Sequence, residues 1–134
     1  MKIYKNFKFC ASHQLRYPSF SDEENRQRFG PCVRLHGHNY LLRVCVEGEL
    51  DVSKGYFLNL KDLSDVVHQH VLHELDHQHL NDVPMLRGRI PTVENTCQSI
   101  VDVLDPLFVH TARNGHQFGK NLYCQKKYWV HAKG

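Results

Sequence analysis

Apolar and polar residues alternate along the start of the chain with the period of a half-buried strand. From Phe7 to His13 the sequence reads Phe-Lys-Phe-Cys-Ala-Ser-His, so Phe7, Phe9, Ala11 and His13 share one face of a strand predicted from Lys2 to His13. The alternation returns between Leu35 and Leu50. There Tyr40, Leu42, Val44 and Val46 lie on one side, and Leu41, Arg43, Cys45 and Glu47 on the other. The stretch between, Gln14 to Val33, is broken by Pro18, Ser19, Ser21, Asp22, Gly30 and Pro31 and reads as loop. Gly48 to Gly55 reads as a turn, followed by a short apolar piece, Tyr56-Phe57-Leu58.

The period then changes. Leu63, Val66, Val67, Val71, Leu72 and Leu75 form an apolar stripe at helical spacing, which predicts a helix from Lys61 to Leu75. A second helix is expected from Thr92 to Leu107, capped by Thr92 and lined by Val93, Cys97, Ile100, Val101 and Leu104. Asp105-Pro106 should bring it towards its end. Leu122, Tyr123, Tyr128, Trp129 and Val130 favour a last strand over Asn121 to Ala132. Val109 to Lys120 is left without an element, part of it open to a strand. Strand, strand, helix, helix, strand is an α+β order, and the whole chain, 1–134, reads as one domain.

Composition narrows the class. With 41% hydrophobic and 23% charged residues the chain is that of a soluble globular protein, and no run approaches a membrane span of about 20 apolar residues. Met1-Lys2-Ile3-Tyr4-Lys5-Asn6 lacks the apolar core of a signal peptide. Five cysteines without a C-x-x-C pair point to reduced thiols in a cytoplasm. The net charge of +3 is mild and its basic residues are scattered, which argues against a nucleic-acid surface and is compatible with a small anionic substrate.

Eleven histidines are the strongest bias, and three of them fall into register. His13 ends the first strand, while His36 and His38 flank Gly37 and project from one face of the next. Two neighbouring strands would thus offer three imidazoles to one metal with a fourth position open, the layout of a catalytic zinc. Gly37 would let another backbone or a ligand come close. Cys32 lies four residues before His36; a thiol beside a cation has a lowered pKa and can act as base or nucleophile. Asp76 and His77 follow the first helix as a carboxylate–imidazole pair able to exchange protons near neutral pH. A histidine at a helix C-terminus is also favourable for dipole reasons alone. His73-Glu74-Leu75-Asp76-His77 matches the H-E-x-x-H zinc motif as well. It has no third ligand at a recognised spacing, however, and leaves His13, His36 and His38 unexplained.

These residues resemble the 6-pyruvoyl- and 6-carboxytetrahydropterin synthases. Phe-x-Ala-Ser-His ends at His13, and Ser-Asp-Glu-Glu-Asn-x(3)-Phe-Gly-x-Cys runs from Ser21 to Cys32. Leu-His-Gly-His-Asn-Tyr covers Leu35 to Tyr40, and Gly-x-x-x-Asn-Leu-x-x-Leu covers Gly55 to Leu63. Leu-Asp-His-x-x-Leu-Asn covers Leu75 to Asn81, and Pro-Thr-x-Glu-Asn covers Pro91 to Asn95. The resemblance implies a T-fold: an antiparallel sheet with two helices on one face, three subunits closing a β-barrel and two trimers stacking into a hexamer, with active sites between subunits. It implies 7,8-dihydroneopterin triphosphate as substrate, Zn2+ on His13, His36 and His38, and Cys32, Asp76 and His77 as the proton-moving triad.

The resemblance leaves the product open. Three residues between Cys32 and His36 look like the 6-carboxy enzymes of queuosine synthesis, whereas Ser21 to Gly30 and Asn59-Leu60 look like the 6-pyruvoyl enzymes. The end of the chain departs from the family, which carries a Glu-Thr pair there whose glutamate anchors the pterin ring. Cys124-Gln125 occupy those positions here. A thiol cannot replace a carboxylate's paired acceptors, at a cost of about 1–3 kcal/mol in a buried site. Thr92, Glu94 and Cys124 are the candidate substrate-binding positions. Three outcomes follow: a zinc pterin synthase that anchors the ring differently, a divergent paralogue holding zinc and another heterocycle, or a non-catalytic T-fold oligomer.

Overall fold

The computed structural model describes residues 1–111 and 121–123. Two long strands, β1 (Lys2–His13) and β2 (His36–Glu47), form its spine. They pair antiparallel along their whole length, from Lys2 opposite Glu47 to His13 opposite His36. Helix α1 (Asp22–Phe29) and a 3-10 turn (Gly30–Val33) fill the connection between them. Helices α2 (Leu60–Val67) and α3 (His73–Leu75) are joined through a π-type turn (His68–Leu72). Then come the two-residue strand β3 (Gln78–His79), helix α4 (Val93–Thr111) and strand β4 (Asn121–Tyr123). The sheet order is β3-β1-β2-β4.

The α+β order is as expected, but the sheet is mixed rather than antiparallel throughout. β4 runs antiparallel to β2, whereas β3 runs parallel to β1, with Ala11 opposite Gln78 and Ser12 opposite His79. Two residues give no alternation to read, so β3 left no trace in the pattern.

One face of the sheet carries the core. Phe7, Phe9, Ala11, Tyr40, Leu42, Val44 and Val46 are buried against Leu63, Val67, Val71, Leu75, Ile100 and Leu104 of the helices. The helical stripe is spaced by four, which outruns an α-helix of about 3.6 residues per turn. The wider π turn winds back that drift. Leu63, Val67, Val71 and Leu75 consequently all remain fully buried.

Two expectations need correction. Gln14 to Val33 contains helix α1, whose sides are polar and whose buried residue is Asn25. It has no apolar stripe to reveal it, yet its start is written in a capping box: Glu24 N–H donates to Ser21 Oγ, and Ser21 N–H to the Glu24 carboxylate. Helix α4 also runs through Pro106 to Thr111. Proline removes one amide donor, but Leu104 and Leu107 pack on the core on either side of it and carry the helix on. Of the last predicted strand, Asn121–Tyr123 is seen as β4; its remainder, with Cys124, lies outside the described residues, as do 112–120.

Asn25 ties down the segment that leads into β2. Its side-chain oxygen accepts from Tyr17 N–H at 2.8 Å, and its amide faces the carbonyls of Tyr17, Phe20 and Ser21 at 3.1, 3.3 and 3.1 Å. Removal of these groups from a site that is 2% exposed leaves several buried backbone groups unpaired. Asn25→Ala should lower unfolding stability by about 2–3 kcal/mol in a urea titration. A loss under about 0.5 kcal/mol, the scale of ordinary surface changes, would remove Asn25 from this role.

Candidate active site

The β1–β2 register assembles the histidine trio. His13 sits opposite His36 and Ala11 opposite His38, so all three imidazoles leave the sheet on the same face. Their ring centroids are 4.5, 5.0 and 4.7 Å apart, and their ligating nitrogens lie within 4.8 Å of one another. Phe9, stacked on Tyr40 at 4.7 Å, forms the next layer along the strands. The Tyr40 hydroxyl is buried without a partner, and burial pushes its pKa up to about 12.

Hydrogen bonds set which nitrogen of each ring is available. His13 Nδ1 lies 2.8 Å from the Pro91 carbonyl, and His36 Nδ1 lies 2.6 Å from the Arg34 carbonyl. A carbonyl only accepts, so both Nδ1 atoms carry their proton and both Nε2 atoms present a lone pair. Those two Nε2 atoms are 2.9 Å apart. Two lone pairs at that distance repel, and something positive belongs between them. A proton is disfavoured, because burial, followed by the neighbouring His36 and His38, holds His13 below the ordinary histidine pKa. His38 is lowered too, by burial and then by His36. Its Nδ1 is buried with no hydrogen-bond partner. Three neutral imidazoles, two of them oriented by backbone carbonyls, fit a divalent metal ion.

Gly37 has a smaller part than its position suggests. A Cβ there would lie 3.4 Å from the Ala11 carbonyl oxygen, so β1 alone does not demand glycine. The residue instead borders an open cleft of about 600 Å³, shared with Cys10, Ser12, His38, His77 and His79.

A second cluster borders that cleft. Helix α3 stops because Asp76 is extended, and His77 then takes a left-handed backbone at φ 59°. This turn brings His77 Nδ1 to 3.0 Å from Asp76 Oδ1. Cys10 N–H donates to the same Oδ1 at 3.0 Å, while His77 N–H donates to the Cys10 carbonyl at 2.7 Å. The Cys10 amide, and then His77, hold the Asp76 carboxyl below the usual carboxylate range. Donation from Nδ1 to a carboxylate leaves His77 Nε2 free to take a proton. Beside it, Ser12 Oγ lies 2.9 Å from His79 Nδ1. Asn81 clamps the end of β1 by accepting from Gln14 N–H and donating to Gln14 O, both at 2.9 Å.

The family model described as 6-pyruvoyl tetrahydropterin synthase matches residues 2–118. The chain belongs to that family. It is 40% identical over 99 residues to the 6-pyruvoyl tetrahydrobiopterin synthase of Dictyostelium discoideum, covering 73% of each chain. It is 39% identical over 106 residues to the Homo sapiens protein of that name, covering 77% of this chain and 73% of the other. The solved 6-pyruvoyl tetrahydropterin synthase of Caenorhabditis elegans superposes with a TM-score of 0.69 at 31% identity, over 77% of this chain and 78% of that one.

Within this family member the remaining candidates take different places. Cys32 sits in the 3-10 turn before β2, its carbonyl accepting from Leu15 N–H at 2.9 Å. It joins neither the histidine trio nor Asp76 and His77; the thiol that meets that pair is Cys10. Thr92 caps α4, its Oγ1 accepting from Asn95 N–H at 3.1 Å, while Glu94 lies half-buried in the first turn. His73 and His77 do not share a helical face, because the helix ends at Leu75, and so H-E-x-x-H is not assembled. Sequence reasoning missed the orienting carbonyls of Arg34 and Pro91, which carry no side-chain signal. It also missed Cys10, although strand alternation places it on the face away from His13.

Proposed function

We propose that this chain is a zinc-dependent lyase that eliminates triphosphate from 7,8-dihydroneopterin triphosphate, giving a 6-pyruvoyl- or 6-carboxytetrahydropterin. The observation that carries the reading is the pair of facing Nε2 lone pairs of His13 and His36, beside a cleft bordered by both His38 and His77. Family membership supports the reaction class.

His13, His36 and His38 would hold the ion, which supplies Lewis acidity towards the hydroxyls of the substrate side chain. His77 accepts a side-chain proton at Nε2 and returns it later, with Asp76 fixing the ring through Nδ1. Cys32 is the second proton carrier. As the C–H bond is broken, its electron pair enters the side chain and the C–O bond to triphosphate breaks, so the elimination balances without an external oxidant. Thr92 and Glu94, near the carbonyl that orients His13, are placed to meet the substrate.

Cys32 stands apart from Asp76 and His77 within one chain. That separation is what a site shared between subunits requires, and it supports a homo-oligomer, a trimer or a hexamer of two trimers. The open sheet edge formed by β3 would then join a neighbour into the barrel.

The test is mass spectrometry of the zinc-loaded protein with 7,8-dihydroneopterin triphosphate, run beside Cys32→Ala. Release of triphosphate with a 6-pyruvoyl or 6-carboxy product, reduced about 10²–10⁴-fold in the variant, supports the reading. Unchanged substrate in a zinc-replete protein would shift it to the divergent paralogue suggested by Cys124. Full activity of Cys32→Ala would remove Cys32 from the mechanism.

A further inference from the structure

We propose that Cys10, Asp76 and His77 form a second metal site, for a thiophilic divalent cation, separate from the three histidines and inhibitory when filled. Three ligand types meet there. The Cys10 sulfur, an Asp76 oxygen and a His77 nitrogen lie within 4.8 Å of one another. A thiolate, a carboxylate and an imidazole together suit zinc, cobalt or cadmium better than magnesium or calcium.

The ligands are fixed before any ion arrives. Cys10 N–H holds the Asp76 carboxylate, and the Cys10 carbonyl holds His77 N–H, so strand β1 and the turn after α3 lock each other. His77 is the one described non-glycine residue with positive φ, a backbone strain that keeps its ring against Asp76. The site is also reachable: Cys10 is partly exposed, His77 is exposed, and both border the open cleft. Cys10 alternates with Ala11 and therefore points away from the face of His13. One ion cannot serve both clusters.

Inhibition follows from where the proton sits. With an ion on His77 Nδ1, the ring proton moves to Nε2, and the Nδ1 bond to Asp76 is replaced by two bonds to the ion. The Cys10 thiol proton leaves to solvent. His77 then has no lone pair at Nε2 with which to accept a substrate proton. The metal site stands independently of the proposed lyase reaction; its inhibitory consequence rests on that reading.

Cobalt reports the site directly, because only a sulfur ligand gives a thiolate-to-cobalt charge-transfer band in the near ultraviolet. The full chain, its first site already filled with zinc, is titrated with Co2+. The band is expected to appear with about one further equivalent, to persist in Cys32→Ser and to vanish in Cys10→Ser. Asp76→Asn, which keeps the fold's shape, should weaken cobalt affinity more than about tenfold. No band in excess cobalt, or a band that survives Cys10→Ser, would overturn the assignment. In the pterin assay, excess zinc should inhibit the wild type and need more than about tenfold higher concentration in Cys10→Ser. Equal inhibition in both would overturn the inhibitory role. An inactive wild type that still shows the cobalt band keeps the second site and counts against the lyase reading instead.

Discussion

His13→Ala should release the metal from the three-histidine site. The other two imidazoles would remain, but the variant loses the most firmly held ring, which is buried, tied through Nδ1 to the Pro91 carbonyl, and 2.9 Å from His36 Nε2. Loss of an outer-shell partner already costs about 10–100-fold in metal affinity, and loss of a direct ligand should exceed that. Elemental analysis after dialysis should fall from one ion per chain at this site to a small fraction, with activity falling in step. His36→Ala, at a more exposed ring, should release the ion with less damage to folding. Retention of a full equivalent by both variants would place the metal elsewhere.

Acid should release the ion as well, and the sign follows from the same burial. His13 and His38 are both held below the ordinary histidine pKa, so their neutral, ligating forms persist into more acidic solution than a free imidazole would allow. Metal content should therefore hold through the ordinary histidine range and fall only below it.

Much of this site was legible because strand geometry is periodic. Phe7, Phe9, Ala11 and His13 occupy alternate positions and are all buried. Once β1 and β2 pair, the spacing of His36 and His38 alone puts them on the face of His13. What escaped had no period to read. Helix α1 is polar on its sides, β3 is two residues long, and the carbonyls that orient His13 and His36 belong to the backbone. Cys10 escaped for a different reason: its partners Asp76 and His77 lie far along the chain, Asp76 at a separation of 66 residues, and are joined to it by a turn whose left-handed residue is not glycine. A sequence gives the ring and the carboxylate, but not the φ angle that folds them back onto β1.

That angle makes His77→Gly the sharpest separation of function from stability. A left-handed backbone costs an ordinary residue about 1–2 kcal/mol, which glycine avoids. Glycine in turn loses about 0.5–1 kcal/mol more conformational entropy on folding. The two nearly cancel, so the unfolding free energy of His77→Gly should stay within about 1 kcal/mol of the parent. Catalysis should not survive in the same way. The variant keeps the backbone turn, the Asp76 carboxylate and the histidine trio, yet it has no imidazole to carry the proton, a loss of about 10²–10⁴-fold in kcat. His77→Val tests the backbone half of the argument, since a β-branched residue at φ 59° should be less stable than either. If His77→Gly turned over substrate at the parental rate, the proton would have to move through another group, and the Ser12–His79 pair in the same cleft would be the next to examine. If instead it unfolded several kcal/mol more easily, the strained residue would be serving the fold, with Asp76 and Cys10 as its structural partners.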